Sequence, residues 1–454
     1  MDPAPLPPTA PDPVAEALHA AWRGEDPGPT RLSHRPPEHR RWPGPALELP
    51  RAPGPGPGPL LDLALAADPR RRTRGVRLRR VPSAGGRYPV EAHLLHAGTV
   101  WRYDALDHAL YAPAASPHQG TAVVLSLVPS RTVWRYGPRS LPIVLLDLGH
   151  AVAALHAAAR ACGLRARTLL APGTSLARSA RLPWHEGAVR WPGAAPEHPL
   201  AVVHLHARAP GREREAVWPS PTTGRAAPAP GGSAAGPAAE WEGPPPPEVS
   251  GAAAHLVDAA LSSFSAGPAD GSGRPLPVPV PGFPASALLA RHTAAWERVL
   301  GRPSARPGLP PPPYPGTRPR GRSAPPRPDD PLGAAIAHLG ADRVVYLCPG
   351  THSGVLADLV PRSCGQPRVA LAEGLLLLLG SAEAGPHTLP EHVGAGAAAH
   401  AAWLAATLRR CPVRPVGCWT DTVLAVPGGR FRVLHALALG PPPGTPLDIP
   451  KRLR

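Results

Sequence analysis

The residues best placed to do chemistry stand together in Arg79-Arg80-Val81-Pro82-Ser83-Ala84-Gly85-Gly86-Arg87-Tyr88-Pro89-Val90-Glu91. Ser83 offers a hydroxyl, and Ala84 to Gly86 let a ligand lie close to the backbone. N–H groups exposed by such a turn can form an anion nest. Basic side chains flank the turn, which feeds directly into a strand-like run. Alone it is weak evidence, because a Gly-Gly turn before a strand is usually only a turn. A second group follows at Trp134-Arg135-Tyr136-Gly137-Pro138-Arg139. Arginine does not lose its proton in a protein, so Arg135 could stabilise developing negative charge but could not act as a base. Tyr136 can exchange a proton, and a fixed cation beside it favours its phenolate. The plain alternative is a solvated arginine and a core tyrosine. A third group, Arg320-Gly321-Arg322-Ser323, joins guanidinium forks to a hydroxyl. Such a set suits phosphate, since charge-assisted and bidentate bonds are the strong ones. It reads equally well as an Arg-rich linker.

Other chemistries lack their spacing. Histidines are plentiful but scattered, with no H-x-E or H-E-x-x-H pattern for a metal, so none is expected. Ser83 has no G-x-S-x-G context, which argues against a hydrolase elbow. Cys162, Cys348, Cys364, Cys411 and Cys418 are odd in number and never form C-x-x-C. Neither a disulfide framework nor a zinc site is indicated.

Proline and glycine divide the elements that must position these groups. Residues 1–58 read as a Pro-rich, loosely held arm with one helical stretch from Val14 to Trp22, and residues 59–208 as a first folded unit. Residues 209–317 have linker composition with helical patterns at Ala252–Phe264 and Ala285–Leu300, and 318–454 hold a second unit. In the first unit Val90–Gly98 and Thr121–Ser130 read as strands before an Ala-rich helix, Ile143–Cys162. In the second, DRVVYLCPG and VALAEGLLLLLGS precede another Ala-rich helix. Placing Gly149 over Gly396 aligns the two helices and the basic turn after each. The repeated strand–strand–helix order points to an internal duplication, against the bland reading that Ala-rich helices all look alike.

These residues resemble a definite family. PSAGGRYPVE is similar to the PSAG-x-x-P-x-E signature of SagB-type azoline dehydrogenases, within the nitroreductase superfamily, and GTVWRYDALDHAL resembles the stretch that follows it there. Trp134 to Arg139 with LLDLGHAVAALHAAARACGL resembles the family's lysine-tyrosine-glycine-x-arginine element and its helix. Arg135 stands at the lysine position, a departure. The resemblance implies an α+β, tandem (pseudo-dimeric), FMN-dependent nitroreductase-like fold with a degenerate second unit. It places Arg80, Pro82, Ser83, Ala84 and Gly85 on the cofactor and Arg320, Arg322 and Ser323 on its phosphate. Tyr136 and Arg135 become the catalytic pair, with His150 or water as other proton acceptors. Lys451-Arg452-Leu453-Arg454 sits where relatives have a further basic pair, though such a tail is more often solvated. The implied work is oxidation of thiazolines or oxazolines to azoles in a precursor peptide after a partner cyclodehydratase, with oxygen regenerating the flavin. Another flavin reaction on a small molecule, or a non-catalytic scaffold of a peptide-modifying complex, would use the same residues.

Composition bounds the rest. Across 454 residues the net charge is +16 and the pI about 10.9. Yet Lys451 is the only lysine and asparagine is absent. Residues encoded by AT-rich codons are missing, so the basicity is largely mutational. The scattered arginines lack the aromatic interleaving of a single-strand binder, and nucleic acid is not an expected partner. The N-terminus lacks a signal pattern. The run Val369–Gly380 is too short to span a bilayer and reads as a buried strand. A cytoplasmic protein with no membrane partner is expected.

Overall fold

The computed structural model describes residues 12–23, 36–40, 42, 44–51, 56–73, 76–184, 195–207, 214–215, 251–267, 273–290, 331–348, 351–363, 366, 369–370, 372–417, 419 and 421–440. At its centre lie two long Ala-rich helices, α4 (Ser140–Ala161) and α10 (Thr388–Leu408), buried on nearly every face. A helix apolar all round belongs inside a protein. The two meet backbone to backbone. A methyl group on Gly149 would stand 2.8 Å from the Gly396 Cα and closer still to the Val393 carbonyl oxygen. One on Gly396 would stand 3.0 Å from the Gly149 Cα. The glycines that align the two Ala-rich segments in sequence therefore mark where the helices cross.

On one side α4 rests on a nine-stranded sheet. Its order is β1 (Leu47–Glu48), β6 (Ala109–Ala115), β5 (Thr99–Asp104), β4 (Val90–His96), β7 (Thr121–Leu127), β9 (His198–Ala207), β8 (Leu164–Leu170) and β11 (Arg274–Leu276). A short β10 (Arg214–Glu215) also pairs with β9. On the other side α10 rests on a five-stranded sheet, β12 (Val344–Leu347), β13 (Gly374–Ser381), β16 (Gly429–Leu439) and β14 (Val413–Val416), with β15 (Val423–Val426) also on β16. A hairpin of β2 (Ala67–Thr73) and β3 (Val76–Arg79) leads into the Ser83 turn. Leu94, Val123, Leu125 and Val203 share a core with Val144, Leu145 and Leu148 of α4. Leu376, Leu378, Leu434 and Leu437 share another with Ala398, Ala402 and Trp403 of α10. The layers thus run sheet, α4, α10, sheet. Outer faces are covered as well, by α5 (Thr174–Ala180) and Trp184 on the first sheet and by α9 (Ser353–Leu359) and Trp419 on the second. Covering on both faces explains why β7 and β13 read as largely apolar runs.

Two expectations need correction. The N-terminal stretch is not loosely held over its helix. There α1 (Pro13–Trp22), capped by Asp12, which accepts the Val14 N–H at 2.9 Å, buries Val14, Ala17 and Leu18 in the first core. Three apolar positions on one face suffice to dock a short helix once a partner surface exists. The segment read as linker also packs. From α6 (Ala252–Ala266), Val257, Ala260 and Leu261 enter the same core, as does Leu288 of α7 (Ala285–Ala290), while β11 extends the first sheet beyond β8. Leu60 and Leu61 of α2 (Pro57–Ala64) join that core beside α4, and Ala335 of α8 (Pro331–Leu339) joins the core around α10. The helical run Ser130–Ala161, comprising α3 (Ser130–Tyr136), a short turn and α4, is long and apolar enough to cross a bilayer; its apolar stretch lies wholly inside the protein.

Candidate functional site

After β3 the chain passes Pro82 and Ser83 and closes Ala84–Gly86 into one 3-10 turn. Gly85 sits at φ +60°, a conformation that penalises residues bearing a Cβ. A side chain there would meet the Tyr136 hydroxyl at 2.9 Å. The end of α3 thus lays Tyr136, half-buried, against the exposed Gly85, while Arg135 is exposed. Tyr88 also has positive φ, +48°, which is uncommon for an aromatic residue and characteristic of sites held by their surroundings. The surroundings are visible. The Arg79 N–H donates to the Tyr88 hydroxyl at 3.0 Å, the Arg79 guanidinium lies over its ring, and His39 stacks on it.

Beneath the turn lies a residue the sequence reading did not select. Asp147, on α4, accepts the Ser83 Oγ–H at Oδ2 (2.6 Å) and the Ala84 N–H at Oδ1 (3.3 Å). Ser83 Oγ in turn accepts the Tyr88 N–H at 2.8 Å. No cation pairs with Asp147 among the described residues. Burial pushes its carboxyl up to about 7, against the two hydrogen bonds that favour the charged form. A buried, uncompensated carboxyl with so high a pKa, next to small residues, is a recognisable mark of a functional site. Its signal was present: Asp147 is the lone charge in the otherwise apolar start of α4.

The turn is clamped to α3 from several directions. Arg87, fully buried, donates to the Arg131 carbonyl at 2.9 Å and to Glu38 Oε1 at 2.8 Å, and its guanidinium lies 4.9 Å from the Trp134 ring centroid. Arg131 pairs with Glu91 and donates to the Tyr88 carbonyl at 2.7 Å. Residues 36–39, read only as part of an arm, thus help to hold the turn.

Other expected residues fall elsewhere. Arg80, expected on the cofactor, is bonded to the Asp62 carbonyl (2.6 Å), the Asp62 carboxylate and the Leu289 carbonyl. Its charge joins α2 to α7. Pro82 and Ser83 line a cavity of about 20 Å³ with Tyr88, Glu91 and Asp147, room for roughly one water molecule. The anion nest does not form, because the Gly86 and Arg87 N–H groups bond back to the Ser83 and Ala84 carbonyls and the Ala84 N–H is held by Asp147. His150 serves the junction of the halves: its nitrogens meet His400 at 3.3 Å and His435 at 3.0 Å, and burial lowers His435 to about 4. Arg320, Arg322, Ser323, Cys364, Cys418 and Lys451–Arg454 lie outside the described residues.

No family model matches the chain, and no curated protein matches it by sequence. Solved structures do match. The crystal structure of a protein from Anabaena variabilis assigned as a nitroreductase superposes with a TM-score of 0.60 and 17% identity, over 94% of this chain and 99% of its own. This chain has a nitroreductase-like fold. At that identity the likeness speaks for the fold alone.

The residues present can be tested against FMN. The turn offers a hydroxyl, an exposed glycine and a phenol, but it spends three amides internally over a carboxyl. That donor set suits one edge of a flat, neutral ring better than a phosphate, whose charge the carboxyl of Asp147 would oppose. Ser83, Ala84, Gly85 and Tyr136 are therefore the residues that would hold the ring.

Proposed function

We propose that this chain is an FMN-dependent oxidoreductase that oxidises azoline rings of a ribosomally made peptide to thiazole or oxazole, its halves forming a tandem, pseudo-dimeric unit. One observation carries this reading. The PSAGG turn and the Trp134-Arg135-Tyr136-Gly137 element are separated in sequence, yet they meet where the Tyr136 hydroxyl lies against Gly85, within a nitroreductase-like fold. Fold alone leaves the chemistry open; two family-like elements at one point narrow it.

Bound FMN would supply acceptance of a hydride from one ring carbon. The chain must then take the proton from the neighbouring carbon. The Tyr136 oxygen is the candidate acceptor at the turn, and a positioned acid or base contributes about 10² to 10⁴ in rate. Arg135, being exposed, acts on that proton only through solvent, where its field is screened. Ser83 and Ala84 fix one edge of the ring, and the exposure of Gly85 leaves the turn open to a peptide. The phosphate falls to Arg320, Arg322 and Ser323 in this proposal, and a cyclodehydratase supplies the azoline.

The test is colour followed by turnover. The purified full-length chain should be yellow with bound FMN and should remove two hydrogens from an azoline peptide, read by mass spectrometry. A colourless protein that does not take up FMN would favour the scaffold. A yellow protein that NAD(P)H reduces quickly, and that leaves azolines untouched, would be a small-molecule reductase.

A further inference from the structure

A hydroxyl has one proton to give, and the surroundings of Ser83 decide where it goes. Ser83 Oγ accepts the Tyr88 N–H at 2.8 Å and shares a short bond, 2.6 Å, with Asp147 Oδ2. The other carboxyl oxygen, Oδ1, accepts the Ala84 N–H. A proton on Asp147 therefore belongs on Oδ2, facing Ser83. We propose that Asp147 is a positioning residue that sets the direction of the Ser83 hydrogen bond: ionised, it takes the Ser83 proton and leaves Ser83 an acceptor toward a ligand; protonated, it donates to Ser83 and frees that proton for the ligand. This deepens the flavin reading above and rests on it.

Burial makes both states reachable. Asp147 sits inside the protein with no cation beside it among the described residues, so among these it neutralises by taking a proton. Desolvation lifts its carboxyl to about 7, where a small change in pH alters its charge. The groups around it are engaged with one another. Arg79 and Glu91, which line the same cavity, are bonded to His39 and to Arg131. Tyr103, also on that wall, is bonded to His108, and Asp62 on α2 is paired with Arg51 and Arg80. His150, the next ionisable group along α4, meets His400 of α10 and His435 of β16. Tyr136 lies against Gly85. The link from Asp147 to the ligand face is Ser83.

The consequence is a preference for ligand redox state. Apart from its N3–H, the edge of an oxidised isoalloxazine presents acceptors, unprotonated ring nitrogens and carbonyl oxygens. It is held by a donating Ser83, hence by protonated Asp147. Oxidised FMN should bind more tightly below neutrality and more weakly above it. One neutral hydrogen bond contributes about 0.5–1.5 kcal/mol, so the change should be roughly two- to tenfold in Kd.

Two measurements on the full chain test this. In flavin-free protein labelled with ¹³C-aspartate, the carboxyl resonance that disappears in Asp147→Asn should titrate near neutrality; titration in the ordinary carboxylate range overturns the inference. FMN titrations between about pH 5 and about pH 9 should show the two- to tenfold weakening in the wild type. Asp147→Asn, whose amide donates to Ser83 permanently, should bind FMN with a flat pH profile. Ser83→Ala should be flat and weaker while keeping Asp147, so the test survives a misfolded Asn variant. The same pH dependence in both variants and the wild type sinks this inference and leaves the flavin reading standing. Failure of the wild type to bind FMN at any pH sinks the flavin reading itself, and this inference with it.

Discussion

α4 and α10 are alike in composition and cross at matched glycines, yet they carry different things. Two residues before Gly149, α4 has Asp147, bonded to Ser83 and Ala84. Two residues before Gly396, α10 has Gly394, where a methyl group would find only Leu339, at 3.8 Å. The same place holds a buried carboxyl on one helix and open room on the other. Beside that carboxyl the turn holds three residues at positive φ, Gly85, Gly86 and Tyr88. A helix that only has to pack needs no ionisable group, and α10 shows that this scaffold can be built without one at that position. Asp147 is thus tied to the Ser83 turn, which only the first half carries.

The contrast can be broken in four ways, the largest expected effect first. If the working face belongs to the first unit, Tyr136→Phe should keep FMN but slow azole formation by about 10² to 10⁴, measured in single turnover; an unchanged rate would move the proton to another group. Next comes the pH dependence of stability. The folded carboxyl of Asp147 lies at about 7, raised from 3.8. The folded state therefore holds the proton more tightly, and its contribution is complete below about pH 4 and is lost as pH rises toward 7. The slope is up to about 1.4 kcal/mol per pH unit, at most about 4 kcal/mol across the window. Urea unfolding of Asp147→Asn should lack that decline, and parallel curves for the two proteins would contradict it.

Third, Gly149→Ala forces a methyl group onto the α10 backbone and should cost about 2–3 kcal/mol, because two helix backbones cannot yield as a side chain can. A neutral result in denaturant titrations would mean that the helices separate easily. Smallest is Gly394→Ala on the facing helix. With room for the methyl and a helical backbone, it should stabilise by about 0.5–1 kcal/mol. Were Gly394→Ala as damaging as Gly149→Ala, the two positions would not differ as described.

Much of the scaffold could be read from the chain. Thr121–Ser130 and Val90–Gly98 read as strands and form β7 and β4, and the Ala-rich stretch expected over Ile143–Cys162 forms α4, begun slightly earlier at Ser140. Local pattern suffices there, because a segment covered on both sides is predominantly apolar, its few polar groups being paired inside. The Ser83 turn was visible as small residues between basic ones, and Tyr136 as a proton-exchanging group near a glycine. Segments of mixed composition were harder. α1 and α6 each bury only a few side chains, and in Pro-rich surroundings so sparse a pattern cannot be told from a solvated helix.

By itself the sequence determined which segments are apolar enough to be interior, where the turn lies, and that Gly149 and Gly396 align two Ala-rich helices. Tertiary structure decided the partners. Asp147 is far from Ser83 along the chain, and Arg80 meets Asp62 rather than a ligand. Three of the turn's amides are spent on its own carbonyls and on Asp147, so a loop that looked built for an anion lies instead over a carboxyl. The reason is physical: a hydrogen bond or an ion pair depends on distance and burial, and neither is encoded by residue type until the layers close around it.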